Sequence, residues 1–147
     1  MTDQISVEQA LKEFYGTQHL GDEAFTQAVN YAQFGSLKIP FPNLKKRREI
    51  IYLHDINHLL TGYDTTYAGE GELAAYELAS GFPFHCWVGY LYAPIAFLTG
   101  VFVAPLRVWR GWLRGWGAKN SCHADLTREE IFSMNLGELR QYLQIPL

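Results

Sequence analysis

The chain is poor in cysteine and in charged residues, and each shortage excludes a class of protein. Its two cysteines, Cys86 and Cys122, lie 36 positions apart with no C-x-x-C pair, which excludes a disulfide framework and a zinc ribbon. Only 18% of the residues are charged, and 12 basic against 15 acidic residues leave a net charge of −3. A protein with this balance is not expected to bind nucleic acid in general.

The first twenty residues also lack the features of a targeting segment. They contain no apolar run of the kind that a secretory signal needs, and three acidic residues stand against one lysine. Transit peptides, in contrast, are rich in arginine and poor in acidic residues. We therefore expect a protein of a reducing, cytoplasmic compartment.

Apolar and aromatic residues are abundant, at 48% and 15% of the 147 residues. This composition excludes intrinsic disorder and allows a buried core. The length suits one domain, and no repeat, low-complexity tract or linker divides it. We expect a single domain over residues 1–147, whose aromatic side chains fill a large core or contact an apolar partner.

The spacing of apolar residues predicts an all-α protein, a single compact helical domain. Ser6 and Gln9 form a capping box that starts the first helix, and Gly16 ends it. No Asn-Gly or Asp-Gly turn joins two alternating strands, so no β-hairpin is predicted. Further helices are predicted from Asp22 to Phe34 before Gly35, from Leu44 to Leu60 before Gly62, and from about Gly69 to Gly81, with a loop over residues 35–43 and turns over residues 63–69.

The segment from Phe82 to Pro105 spans 24 residues and contains no Asp, Glu, Lys or Arg. It is long enough to cross a bilayer, but Pro83, Pro94 and Pro105 interrupt it, and a proline inside a helix costs about 3 kcal/mol or forces a kink. We favour a kinked, buried apolar helix or pair of helices. The wall of an apolar ligand tunnel and a membrane span remain as alternatives.

Residues 106–116 form a basic amphipathic pattern. Three tryptophans and three arginines repeat at helical spacing on opposite sides of the predicted helix. They are Trp109, Trp112 and Trp116 on one side and Arg107, Arg110 and Arg114 on the other. This pattern is typical of a helix that lies in a membrane interface, although a surface helix with its tryptophans in the core has the same pattern. A second basic run, Lys45 to Arg48, is interpreted as a solvated helix start.

The stretch from Leu53 to His58 holds the densest set of potential metal ligands. At 100° per residue, His54, Asp55 and His58 project into one arc of the third helix, and two imidazoles at i and i+4 suit a divalent ion. Glu70, near the start of the next helix, is a candidate fourth ligand. Polar groups among isoleucines and leucines are costly unless they are paired or bound to a metal.

The spacing of these residues resembles that of a known family. His54-Asp55-x-x-His58, eleven residues and then Glu70 is similar to the H-D-x-x-H-x11-E pattern of the Coq4 family of ubiquinone-biosynthesis proteins. Glu77, seven residues after Glu70 and on the same helix face, fits the same context. The resemblance is strong over residues 50–94 and weaker over residues 139–146, and its flanking segments are residues 58–62, 69–70 and 81–83.

The resemblance implies an all-helical, membrane-associated protein that binds a divalent ion, commonly zinc. The implied ligands are His54, Asp55, His58 and Glu70. The family is credited with removing the C1 carboxylate of a polyprenylated hydroxybenzoate and with organising the enzymes of quinone biosynthesis. Such a donor set also suits iron or manganese. Under this hypothesis Glu77 supports a ligand or transfers a proton, and the apolar segment after Phe82 holds the prenyl tail.

Two other functions remain open at this level. One is a non-catalytic scaffold that binds a prenyl lipid and uses its metal structurally. The other is an HD-type phosphohydrolase acting on a prenyl phosphate, since those enzymes also use adjacent His and Asp. They usually add further His and Asp ligands on separate helices, and His19, His85 and His123 have no acidic neighbour of that kind except Asp125 near His123.

Overall fold

The computed structural model describes residues 3–18, 23–34 and 36–146, with residues 23, 24, 33 and 34 described by their backbone. The all-α class is confirmed, because helices dominate and a two-stranded sheet is the remaining regular element of the described part. The helices are α1 (Val7–Gln18), α2 (Glu23–Thr26), α3 (Lys45–Thr61), α4 (Tyr67–Ser80), α5 (Gly89–Val103), α6 (Pro105–Gly115), α7 (Arg128–Ser133) and α8 (Leu136–Tyr142), with short 3-10 helices at Phe84–Cys86 and Ser121–His123.

The start of the second predicted helix is helical, as α2 (Glu23–Thr26), but a β-hairpin replaces the rest of it and most of the loop after it. Strands β1 (Val29–Phe34) and β2 (Leu37–Pro42) pair antiparallel, in a register that runs from Val29 opposite Pro42 to Phe34 opposite Leu37. The predictions of a helix to Phe34, a loop over residues 35–43 and no hairpin were therefore wrong, while Asp22 and Gly35 lie outside the described residues. Prolines are tolerated in β2 because each strand of a two-stranded sheet is an edge.

The other predicted helix boundaries hold to within about two residues. Ser6 Oγ accepts a hydrogen bond from Gln9 N at 3.2 Å, the first half of the predicted capping box, but the Gln9 side chain donates to Glu13 instead of closing it. Helix α1 continues past Gly16 to Gln18. Gly62 ends α3 in the left-handed conformation, with φ of 77°, a conformation that costs glycine little. Helix α4 begins at Tyr67, two residues before the predicted start.

The main core lies between α1, α3, α7 and α8. It buries Val7, Ala10, Leu11, Phe14, Leu53, Ile56, Leu59, Leu60, Ile131, Leu136, Leu139, Leu143 and Ile145, among others. Helix α3 turns one face to this core and the opposite face, which carries Arg47, Ile51, His54 and His58, to a cavity.

Helices α5 and α6 pack against α4 through glycines. A Cβ atom on Gly71 would lie 2.4 Å from Gly100 Cα, and one on Gly111 would lie 2.2 Å from the carbonyl oxygen of Glu72. Gly115 approaches α4 in the same way, one turn further along α6. The absence of side chains at these positions therefore lets the backbones touch. Gly111 and Gly115 lower the stability of α6 as an isolated helix, but they also allow α6 to pack closely on α4.

The apolar segment after Phe82 is helical but is not buried as predicted. Helix α5 runs through Pro94 and ends at Val103, and the φ of −150° and ψ of 66° at Ala104 break the chain direction before α6. Ala93 and Gly100 are the buried residues of α5, which is described in full. Most of its large side chains turn outward because α4 offers room only for small residues, while Tyr92 and Phe97 are partly buried. Within the described ranges, no helix has both the length and the apolar character of a membrane span.

The outward side chains of α5 and α6 form two stripes at helical spacing. We call them the α5–α6 apolar surface, which consists of Leu91, Ile95, Leu98 and Phe102 on α5, Leu106, Trp109 and Leu113 on α6, and Trp116 directly after α6. All eight are half or more exposed, and Phe102 is 87% exposed. The third tryptophan, Trp112, is only partly exposed and packs against Phe97 with ring centroids 6.1 Å apart.

The arginines of α6 do not form the free basic face that the sequence predicts. Arg107 Nε donates to Glu72 Oε2 at 2.7 Å, and Arg114 Nη1 donates to the carbonyl oxygen of Thr61 at 2.8 Å. Both side chains tie α6 to its neighbours, and Arg110 is the exposed arginine of the helix. The difference arises because α6 packs on α4 along its glycines, which brings Arg107 and Arg114 to the edges of that contact.

Candidate metal centre

Two imidazoles and one carboxylate converge between α3 and α4. His54 Nε2 lies 3.3 Å from Glu70 Oε2, and His58 Nε2 lies 3.1 Å from Glu70 Oε1. Their potential ligand atoms all lie within 4.8 Å of one another. The structure therefore brings together three of the four ligands that the sequence predicts.

Local sequence explains why these side chains meet. His54 and His58 are one helical turn apart on α3, so their rings lie side by side with centroids 4.9 Å apart. Glu70 stands in the first turn of α4, whose start is set by Thr66, since Thr66 Oγ1 accepts a hydrogen bond from Gly69 N at 3.2 Å. Gly62 ends α3 and reverses the chain, and this short connection places the start of α4 beside the middle of α3.

The second nitrogen of each imidazole also has a partner. His54 Nδ1 lies 3.0 Å from Glu77 Oε1, and His58 Nδ1 lies 2.9 Å from the carbonyl oxygen of Tyr63. A carbonyl oxygen can only accept, so Nδ1 of His58 carries a proton. Histidines that bind metals commonly donate Nδ1–H to a carboxylate or a carbonyl in this way, which fixes the ring and aims Nε2 at the ion.

These contacts test whether a cation fits. With Nδ1 of His58 protonated, Nε2 of a neutral ring presents a lone pair to the Glu70 carboxylate, which is repulsive. A second proton on the ring or a cation between the two groups removes the repulsion. Ligand atoms about 2.1 Å from a tetrahedral zinc ion are about 3.4 Å apart. The contacts of 3.1 and 3.3 Å with Glu70 are close to that spacing but use its two different oxygens, and the three ligand atoms as a set lie within 4.8 Å of one another. The donor types, two imidazoles and one carboxylate, therefore suit a divalent ion.

Asp55 lies in the same cavity but outside this three-residue group. Its Oδ2 accepts a hydrogen bond from the hydroxyl of Tyr15 at 2.9 Å. Burial raises the pKa of Asp55, and the charge of His54 and the Tyr15 hydrogen bond offset part of that effect. In this arrangement Asp55 binds α1 to α3 rather than completing the ligand set.

The electrostatics of the cluster favour a protonated His54 beside an ionised Glu70. Burial lowers the pKa of His54, but the charge of Glu77 and the hydrogen bonds with Glu70 and Glu77 outweigh it and raise that pKa well above 6.5. Burial raises the pKa of Glu70, but the hydrogen bonds with His54 and His58 outweigh it and hold that pKa below its usual value. The raised pKa of His54 means that positive charge on its ring is stabilised by Glu70 and Glu77.

Glu77 is held by a buried network that the sequence analysis missed. Asn57 Nδ2 donates to Glu77 Oε1 at 2.7 Å, and Asn57 Oδ1 accepts from Ser121 N at 2.8 Å. The side chain of Glu77 is only 4% exposed. The available signal was Asn57 itself, a polar residue inside the apolar part of α3. The Tyr63 carbonyl and Tyr15 carry no such signal, because their roles depend on chain packing.

The cluster lies in a cavity of about 590 Å³ bounded by α1, α3, α4, α5 and the hairpin. Most of the remaining lining is apolar, and it includes Phe14, Phe25, Phe41, Ile50, Ile51, Phe82, Val88 and Ala93. The predicted alternative for the segment after Phe82, an apolar wall, agrees with the contribution of Val88, Ala93 and Ala96 to this lining. An apolar cavity with a few convergent polar groups is the usual form of a small-molecule site.

Comparisons of the chain with protein families, with characterised proteins and with solved structures give no match. The fold and the site alone describe this protein as a helical protein with a three-residue candidate metal centre in a largely apolar cavity.

Proposed function

We propose that this protein binds a divalent ion, zinc in the first instance, and a polyprenylated hydroxybenzoate, and that it supports removal of the C1 carboxylate at a membrane surface. The observation that carries the proposal is the convergence of His54, His58 and Glu70 at the wall of a large apolar cavity. The resemblance of this motif and its context to the Coq4 family supports the same reaction. Iron and manganese remain compatible with the donors.

The residues of the chain have separate tasks in this proposal. When the carboxylate leaves as carbon dioxide, a proton from water takes its place at C1, and the electrons of the broken bond move toward the phenolic oxygen. A divalent ion, if bound, would stabilise the negative charge on that oxygen. His54, His58 and Glu70 hold that ion, and Glu77 holds the Nδ1 proton of His54 so that Nε2 stays available. The apolar lining excludes water and accommodates prenyl units, since apolar surface gains about 25 cal/mol per Å² when it leaves water.

The α5–α6 apolar surface supports the membrane part of the proposal. A contiguous exposed apolar patch on a folded protein marks an interaction site, and tryptophan favours the membrane interface. The same helix α5 supplies Ala93 and Ala96 to the cavity. A lipid substrate in a bilayer would therefore meet the protein on the side where the cavity wall lies.

Two acidic substitutions test the membrane contact. We expect Leu98→Glu with Leu113→Glu to weaken binding to phosphatidylcholine vesicles at least tenfold, because two exposed apolar side chains lose burial worth about 2 kcal/mol each. Cosedimentation measures the bound fraction, and Tyr142→Glu, which changes an exposed aromatic residue on α8, is the matched control. Equal binding by the double variant and the control would refute this surface as the contact.

A labelled carboxylate tests the reaction. Purified protein loaded with zinc, iron or manganese is mixed in air with vesicles that contain 3-polyprenyl-4-hydroxybenzoate labelled at the carboxyl carbon, and released labelled carbon dioxide is measured. We expect release by the wild type, and its loss in Glu70→Gln.

The other two functions are distinguished by this experiment and by a parallel one with geranyl phosphate. Lipid and metal bound without carbon dioxide release would favour the scaffold, for which the exposed apolar surface is the supporting observation. Phosphate released from geranyl phosphate would favour the phosphohydrolase.

A further inference from the structure

Arg47 places a positive charge at the wall of the cavity, two helical turns before His54 on α3. It is the one lysine or arginine among the described residues that line the cavity. It lies on the same face of α3 as His54, seven residues earlier, which corresponds to an axial separation of about 10 Å. The side chains between them, Ile50 and Ile51, are apolar and line the same wall.

The guanidinium of Arg47 is held in place but not neutralised. Its central carbon lies 4.9 Å from the ring centroid of Tyr92 and 5.6 Å from that of Phe41. Nη1 donates to Asn43 Oδ1 at 2.8 Å. No carboxylate of the described residues lies within 4.0 Å of it, although neighbouring basic residues of α3 form such pairs.

Two further nitrogens of Arg47, Nε and Nη2, make no hydrogen bond with a described residue. Every fully buried side-chain nitrogen or oxygen in the described part has a partner, so these two nitrogens border open space. Arginine presents its donors as a planar fork that matches the two oxygens of a carboxylate. Arg47 therefore has an unused face suited to an anion.

The aromatic support of Arg47 is itself fixed to the chain. The Tyr92 hydroxyl donates to the carbonyl oxygen of Pro42 and accepts from Leu44 N at 3.3 Å. This pins the ring to the junction of β2 and α3. Burial lowers the pKa of Arg47, which shows that its charge is poorly solvated and that a bound anion would stabilise it.

We propose that Arg47 binds the carboxylate of an aromatic acid whose phenolic oxygen faces His54, His58 and Glu70. The inference rests on the proposed function and deepens it by orienting the substrate. The phenolic oxygen and carboxylate of a 4-hydroxybenzoate lie at opposite ends of one ring. With a metal–oxygen bond added at one end and an N–H···O bond at the other, the molecule spans a distance of about 10 Å. The prenyl chain takes the remaining apolar volume.

The test compares two ligands that differ only in the carboxylate. Binding of 3-geranyl-4-hydroxybenzoate and of 2-geranylphenol is measured by calorimetry in detergent, with and without zinc. We expect the wild type to bind the acid about tenfold to a hundredfold more tightly than the phenol, the range for a charge-assisted hydrogen bond. We expect Arg47→Gln to bind both with equal affinity.

The matched control is Arg48→Gln. Arg48 is the next residue of α3 and does not line the cavity, and its Nη1 is 3.5 Å from the carbonyl oxygen of Thr26. This variant should keep the preference of the wild type for the acid. If Arg47→Gln fails to fold by circular dichroism, Arg47→Lys replaces it, and we expect a preference smaller than that of the wild type because the fork is lost.

Three results would overturn the inference: a wild type without preference for the acid, an unchanged preference in the Arg47 variant, or geranyl phosphate as the one ligand that the substitution weakens. Failure of the proposed function looks different, because neither geranylated aromatic would then bind the zinc-loaded wild type.

Discussion

Replacing His58 with alanine is expected to abolish zinc binding. His58 supplies one of three converging donors, its side chain is 2% exposed, and its Nδ1 is fixed by the Tyr63 carbonyl, so its loss leaves His54 and Glu70 as the converging donors among the described residues. Losing a ligand should weaken binding more than the tenfold to hundredfold that follows loss of a residue supporting a ligand. Dialysis against zinc followed by elemental mass spectrometry gives the bound stoichiometry.

Controls separate this effect from a general loss of structure. His85→Ala removes an exposed imidazole that does not line the cavity, and it should leave the stoichiometry unchanged. Glu77→Gln keeps a hydrogen-bond acceptor beside His54 Nδ1 but removes its charge, and it should weaken zinc binding about tenfold. Unchanged stoichiometry in a folded His58→Ala protein would rule out the candidate metal centre.

Adding one methyl group to Gly111 is expected to destabilise the fold strongly. The new Cβ would lie 2.2 Å from the carbonyl oxygen and 3.0 Å from the carbonyl carbon of Glu72, and a backbone group in the middle of α4 cannot turn aside. The helices α4 and α6 must separate, so we expect Gly111→Ala to lower the free energy of unfolding by about 3 kcal/mol. Urea unfolding measured by circular dichroism checks this.

Replacing Gly16 with alanine should change the free energy of unfolding in the opposite direction. Gly16 lies inside α1, is exposed, and would have no atom within 4 Å of an added Cβ. Alanine there removes the backbone-entropy cost of glycine in a helix, so Gly16→Ala should raise the free energy of unfolding by about 1 kcal/mol. A Gly111→Ala protein as stable as Gly16→Ala would mean that α6 does not dock closely on α4.

Much of the candidate metal centre could be predicted because its spacing is local. His54 and His58 meet through the period of one helix, and Glu70 follows after a turn whose start is marked by Gly62. Asp55 shares the arc of the two histidines, yet the hydroxyl of Tyr15 on α1 engages it. Tyr15 is 40 residues away in the chain, and the spacing of residues within one helix cannot predict a contact with another helix.

The hairpin illustrates how a local signal was misread. Leu37, Ile39 and Phe41 alternate with other residues in β2, a period-two pattern, but Pro40 and Pro42 favoured a loop. The prolines are tolerated because no third strand of the described chain pairs with either edge. The prolines are therefore tolerated because of the position of β2 in the sheet, which the sequence of β2 alone does not indicate.

Helix positions, the glycine that ends α3, and the order of the potential ligands follow from propensities and periods that act over a few residues. The outward turn of the apolar residues of α5 and the engagement of Arg107 and Arg114 depended on how the helices pack. The pairing of Glu77 with His54 and the position of Arg47 in the cavity wall also depended on this packing. Packing decides these features because burial and pairing require partners that lie far apart in the chain, and an apolar stretch has the same composition whether it faces a core, a cavity or a bilayer.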